Sequence, residues 1–103
     1  SPKDVFERSY QKDNLNFSAA LIALRSGYPV TRSGWNGKGM FLYLVPAASY
    51  PAQTGVAKKY WGEKSVVPYG AYIAMKTAQE NVVPWLASQT DVLADDWQIL
   101  ESV

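Results

Sequence analysis

The chain of 103 residues contains no cysteine and no histidine. Without cysteine there are no disulfides and no thiolate chemistry. Without histidine the commonest general base and the commonest metal ligand are both missing. No apolar run approaches the roughly 20 residues that cross a bilayer. Neither an internal repeat nor a low-complexity tract is present. Residues 1–15 are largely polar and charged and lack the apolar segment of a secretory signal, so the expected location is cytoplasmic, away from membranes. A strong surplus of one charge is lacking too: the net charge is +1. Its distribution is uneven, with all ten bases in residues 1–76 against four acids, and five acids with no base in residues 77–103. The two parts can neutralise each other, within a subunit or across a symmetric interface. A nucleic-acid binder usually shows an uncompensated basic face, so a nucleic-acid polymer is not the expected partner.

What is present is apolar and aromatic. Hydrophobic residues make up 48% of the chain, enough for one core in one domain, and four Trp and seven Tyr are many for this length. Aromatics in such number suit a binding surface or a subunit interface. The stretch from Arg32 to Pro46, RSGWNGKGMFLYLVP, organises the rest. Its second half, Met40 to Val45, is a continuous apolar run that reads as a strand buried on both faces, one against a helix and the other open to a second subunit. Its first half is a glycine-rich turn. Asn36-Gly37 predicts a type I′ hairpin turn, because both residue types tolerate positive φ. The spacing is no phosphate-binding P-loop, since Lys38 is followed by Gly39 and a strand rather than by Ser or Thr and a helix.

Along the chain, residues 1–15 read as an N-terminal arm, with Phe6 and Tyr10 as anchors, and residues 16–103 as a single domain. Asn16 is an N-cap, and Phe17, Ala20, Leu21 and Leu24 recur at helical spacing, predicting a helix over 17–26 that Gly27 and Pro29 end. Val30–Arg32 enters the glycine turn as a short strand. Residues 46–70 hold three prolines and three glycines and read as a lid or flap, with Gln53 to Tyr60 able to form two helical turns that display Lys58 and Lys59. Ala71–Lys76 and Val82–Trp85 are strands joined by the polar turn Thr77–Asn81, and Pro84 marks the second as an edge or a strand end. Ser88 and Asp91 have the spacing of a capping box that opens a short helix through Ala94, and Trp97–Leu100 is a last strand. The fold class is therefore α+β: a small antiparallel β-sheet packed with one main N-terminal helix and a short C-terminal helix.

Asp91, Asp95 and Asp96 are the one acidic cluster. Paired carboxylates can hydrolyse glycosidic bonds or hold Mg²⁺, but Asp91 also suits a helix N-terminus and Asp95-Asp96 a turn. No nucleophile–base pair stands out, and no metal or cofactor is expected. Binding chemistry is better represented. Ser88, Gln89 and Thr90 offer hydroxyl and amide groups at a helix start, where free N–H groups favour phosphate. Trp85 just before them, and Trp35 beside the turn, read either as core or as stacking platforms for a planar ligand.

Taken together, Asn16-Phe17 leading into Ala20-Leu21 and Leu24, GWNGKGMFLYLVP at 34–46, and MKTAQENVVPWLASQTDVLADDW at 75–97 resemble the Thoeris anti-defence two family of phages and prophages. The match covers about residues 16–100. The resemblance implies a non-enzymatic sponge that binds a cyclic ADP-ribose-derived signalling nucleotide, glyco-cyclic ADP-ribose, and holds it uncleaved so that the Thoeris effector stays inactive. It implies a homotetramer with pockets at subunit interfaces, and for some relatives cyclic dinucleotides at separate sites. Carried over by motif, Trp35 and Trp85 would pack on adenine or ribose, and Asn36 and the Gly37 backbone would line the same pocket. Ser88, Gln89, Thr90 and Asp91 would hydrogen-bond phosphate or ribose, with Arg32 and Lys38 as candidate counter-ions of the pyrophosphate. Two other readings stay open: a hydrolase using Asp91, Asp95 and Asp96, and a structural or interaction module of phage or prophage origin.

Overall fold

The computed structural model describes residues 11–103. Phe6, Tyr10 and most of the expected N-terminal arm lie outside the described residues. From residue 11 the chain is already tied to the body. Leu15 is buried and exchanges both backbone hydrogen bonds with Trp97 at 3.0 Å, and the Lys12 carbonyl accepts from the Ile99 N–H at 2.8 Å.

Helix α1 (Phe17–Arg25) starts where the Asn16 side chain accepts the Ala19 N–H at 3.0 Å. It ends through Ser26 into Gly27, whose φ of +93° closes the helix as the sequence implies. Seven strands follow: β1 (Val30–Arg32), β2 (Phe41–Val45), β3 (Ala48–Pro51), β4 (Val66–Tyr69), β5 (Tyr72–Lys76), β6 (Val82–Pro84) and β7 (Trp97–Ile99). Two short helices interrupt them, α2 (Gly55–Trp61) between β3 and β4, and α3 (Gln89–Val92) between β6 and β7. Five strands form an antiparallel sheet in the order β6-β5-β2-β1-β7, and β3 and β4 form a separate two-stranded ribbon. The architecture is α+β, as expected. Pro84 lies in the edge strand β6, where its missing N–H costs no ladder bond.

Directly paired residues of neighbouring strands share a face. The register Val30↔Leu42, Val30↔Ile99, Arg32↔Trp97 and Leu42↔Met75 therefore gathers these side chains on one side of the sheet. Ala20, Ala23 and Leu24 of α1 close over that side, and Leu24, Val30, Leu42 and Trp97 reach full burial. Burying a side chain of this size stabilises the fold by about 1.5–3 kcal/mol. Phe41, Tyr43, Val45, Tyr72, Lys76 and Val82 point the other way, and among the described residues no helix packs over them.

Within the single chain, Leu42 of β2 is fully buried on the helix side, and Phe41, Tyr43, Leu44 and Val45 are half-exposed. Two sequence expectations change here. Asn36-Gly37 is not a type I′ turn, since neither residue has positive φ, and Gly39 at +73° takes the left-handed position instead. The connection between β1 and β2 is an eight-residue loop over 33–40, shaped by tertiary partners described below. Residues 46–70 are no simple flap: β3, α2 and β4 make an arm with its own small core of Ala52, Ala57 and Val67. Its helical part lies at 55–61, close to the expected turns, with Thr54 as N-cap.

Candidate functional site

The glycine loop is held by one ionic node. The Arg32 Nε donates to Asp96 Oδ1 at 2.7 Å, and its Nη1 donates to Asp91 Oδ1 at 2.7 Å. The other Asp96 oxygen, Oδ2, accepts the Gly34 backbone N–H at 2.8 Å. No side chain fits at Gly34, since a Cβ there would lie 2.6 Å from that oxygen. Asp91 also collects two indole N–H groups. Trp35 donates to its carboxylate at 3.1 Å and Trp97 to its backbone carbonyl at 2.9 Å. Ser88 completes the capping box: its Oγ accepts the Asp91 N–H at 3.0 Å, and its own N–H points back to Asp91 Oδ2 at 3.4 Å. Local capping chemistry thus sets Asp91, and strand pairing of β1 with β7 sets Arg32 next to it.

Charge follows this geometry. Burial pushes the Asp91 carboxyl up, but hydrogen bonds from Trp35, Arg32 and Ser88 outweigh it and hold the group below its ordinary 3.8. The Arg32 hydrogen bond lowers Asp96 against a smaller opposing effect of burial, with the Gly34 N–H adding to it. Arg32 is raised further above its ordinary value, first by Asp96 and, after the opposing cost of burial, by Asp91. Both carboxylates are thus engaged by donors. Asp95, the third acid of the cluster, is exposed.

The aromatics expected as platforms meet one another. Trp35 and Trp85 stand edge-on to the buried Trp97 ring at centroid distances of 5.4 and 6.0 Å, and Phe17 lies 5.9 Å from Trp85. Both Trp35 and Trp85 stay half-exposed, so each is a core residue with one accessible edge. Gln89, Thr90 and Ser88 are exposed at the start of α3, and Asn36 and Lys38 are exposed on the loop. The structure therefore joins Arg32, Trp35, Ser88 and Asp91 through direct bonds, with Trp85 beside them through Trp97. It does not bring Lys38 or Asn36 into that node.

Two cavities lie along the uncovered side of the sheet, and the first reaches Arg32 of the node. One of about 650 Å³ is built on the far end of the glycine loop, with Gly37, Gly39, Met40, Phe41, Lys76 and Thr31 on its walls. A Cβ at Gly37 would lie 2.2 Å from Met40 Sδ, so the flexible Met40 side chain would have to swing aside to admit one. The Lys76 Nζ lies 5.6 Å from the centroid of the Phe41 ring and 2.9 Å from Glu80 Oε1. A second cavity, of about 450 Å³, is walled by Val45, Tyr50, Tyr69 and Tyr72. Of the residues expected at a site, Arg32 and Gly37 line the first cavity. Lys76 and Phe41 were not singled out by sequence reasoning. Their only signal is the strand alternation that places both on the uncovered face.

Among the described residues no group of acids could hold a metal ion, and no helix is long and apolar enough to cross a membrane. Comparison with known proteins points in one direction. The Thoeris anti-defense 2-like domain matches residues 15–100. A protein of Bacillus phage SP01 named Thoeris anti-defense 2 is 42% identical over 90 residues, which cover 86% of this chain and 98% of that protein.

Proposed function

The chain belongs to the Thoeris anti-defense 2-like family, and from that premise we propose that it blocks Thoeris defence by sequestering a signalling nucleotide. The ligand is a cyclic ADP-ribose derivative, glyco-cyclic ADP-ribose, held intact by a homo-oligomer in the bacterial cytoplasm. The observation that carries the reading is the glycine loop. Its near end is fixed by the Arg32–Asp91–Asp96 node, and its far end lines a cavity of about 650 Å³, within the usual range for nucleotide-sized ligands. A loop anchored at one end presents backbone N–H groups at the other with little entropy left to lose on binding.

Within this reading Gly37 and Asn36 present backbone and amide groups, and Lys38 and Lys76 face the pyrophosphate. Glu80 is well exposed, so its bond to Lys76 is of the surface type that contributes little and that a phosphate can replace. Trp35, Trp85, Ser88, Gln89 and Thr90 do not line this cavity, and they meet the adenine or ribose only where a second subunit completes the site. Asp91 acts by holding the loop, and Arg32 both holds the loop and lines the cavity. A non-catalytic role is supported by the same node: Asp91 and Asp96 are engaged by Arg32, Trp35, Ser88 and Gly34, which leaves neither poised as a base.

Calorimetric titration with glyco-cyclic ADP-ribose, followed by heating and recovery of the ligand, tests the proposal. Tight binding with unchanged ligand returned is the expected result. Ligand lost with turnover would establish a hydrolase instead, and binding confined to cyclic dinucleotides would move the ligand class. Absence of affinity for both classes would leave an interaction module.

A further inference from the structure

We propose that Glu80 is a built-in occupant of an anion seat at Lys76, on the wall of the cavity of about 650 Å³. In the empty site its carboxylate stands where a ligand phosphate would, and a ligand must displace it to bind. The proposal rests on the sequestration reading for the nucleotide that finally takes the seat, and it adds what controls entry.

The turn that carries Glu80 does not need its side chain. Residues 77–81 join β5 to β6. The Thr77 N–H donates to the Asn81 carbonyl at 2.9 Å, and the Glu80 N–H donates to the Thr77 carbonyl at 3.1 Å. The Thr77 hydroxyl accepts the Gln79 N–H at 3.2 Å and bonds the Asn81 side chain. Glu80 nevertheless has a φ of +65°, and among the described residues the other non-glycine with positive φ is Asn14. Asparagine tolerates that region, whereas a glutamate is strained there and a glycine would not be. A strained residue whose side chain the turn does not use points to a role for that side chain. Its carboxylate goes to Lys76 Nζ at 2.9 Å.

The cavity supplies the role. Arg32 and Lys76 are the cations on its wall, and Glu80 lies on the same wall. Their ion pairs differ in kind. Arg32 is held by Asp91 and Asp96, whose side chains are 14% and 28% exposed. The Lys76 side chain is 17% exposed, but its partner Glu80 is 77% exposed. The ammonium is fixed in place by the Phe41 ring and by the Gly39 backbone, where a Cβ would lie 3.3 Å from Nζ. A held, poorly hydrated cation thus faces a carboxylate that can swing into water at little cost. A phosphate oxygen offers the same cation a charge-assisted bond in exchange.

An anion carried on the same chain competes at a high effective concentration. Each phosphate-bearing ligand therefore loses a similar factor in affinity, but not a similar occupancy. A nucleotide with many further contacts in the cavity stays bound. Inorganic phosphate, whose binding rests on the seat alone, is displaced. Glu80 is a threshold that keeps small anions out and leaves the cavity to a larger ligand.

Inorganic phosphate is titrated into the unaltered chain, Glu80→Gln, Lys76→Met and the double variant, and followed by the amide chemical shifts of residues 37–41 and 76–81. Glu80→Gln is expected to raise phosphate affinity about fivefold, and the double variant to bind no more tightly than Lys76→Met. Glu80→Gly, which suits the left-handed backbone, is expected to match Glu80→Gln with no fall in melting temperature. Phosphate affinity that Glu80→Gln leaves unchanged or weakens overturns the threshold. So does an equal gain in the Lys76→Met background, which would be bulk repulsion, and so does phosphate that binds neither the unaltered chain nor Glu80→Gln. Titration with glyco-cyclic ADP-ribose keeps the two proposals apart. Absence of nucleotide affinity in every form, with the phosphate pattern intact, removes the sequestration reading alone. Tight nucleotide binding to a chain whose phosphate affinity ignores Glu80→Gln removes the threshold alone.

Discussion

The two sides of the five-stranded sheet are built from the same strands and come to opposite ends. On the covered side, α1 and the Trp97 cluster exclude water, and the ionic node around Arg32 is engaged from several directions. On the uncovered side, Phe41, Tyr43, Val45 and Tyr72 stand half-bare, and the cavities described above lie along them. The difference teaches that aromatic content alone does not locate a binding site. The tryptophans, the residues that look most like ligand platforms, mainly hold the fold, while the accessible concave space belongs to strand residues of the second face.

This contrast is breakable, most forcefully at Trp97. Its ring is fully buried against Trp35, Trp85 and Phe17, so Trp97→Ala is expected to cost about 3–5 kcal/mol of unfolding free energy in urea titration. A loss below about 1 kcal/mol would mean that the covered side is not closed.

Arg32→Met comes next. It leaves Asp91 and Asp96 without their shared cation, and a loss of about 2–3 kcal/mol is expected, reduced when Asp96→Asn is already present. The same node sets an acid limit. Both carboxyls lie below their ordinary value of 3.8 in the folded state, so their contribution is fully present above that pH and is lost as pH falls through the lowered values. The urea midpoint of the wild-type chain should therefore hold from neutral pH to about 5 and decline below about 4, and Asp96→Asn should make that decline shallower.

On the uncovered side the expected effects are on ligand, not on folding. Lys76→Met and Gly37→Ala should each weaken nucleotide binding about tenfold, equivalent to about 1.4 kcal/mol, with melting temperature little changed. If instead they lower the melting temperature and leave the affinity of the folded chain intact, the two faces have been given the wrong roles. The smallest effect sharpens the comparison most: Tyr43→Ser, half-exposed on β2, should cost the isolated protomer only about 1 kcal/mol, well under the Trp97 value.

Much of this molecule was legible without coordinates. The 3.6-residue rhythm from Phe17, the cap at Asn16, the Ser88–Asp91 capping box and the edge position of Pro84 each follow from chemistry within a few residues, and each is where the sequence places it. The family was legible too, because the stretches at 34–46 and 75–97 are distinctive as written. Local chemistry could not decide the glycine loop. Asn36-Gly37 has the right residues for a type I′ turn, but Asp96 captures Gly34 and Asp91 captures Trp35 from more than fifty residues away, and those bonds set the backbone instead. Which side of the sheet stays open was likewise a tertiary matter, since alternation sorts side chains into two sets without saying which set α1 will cover.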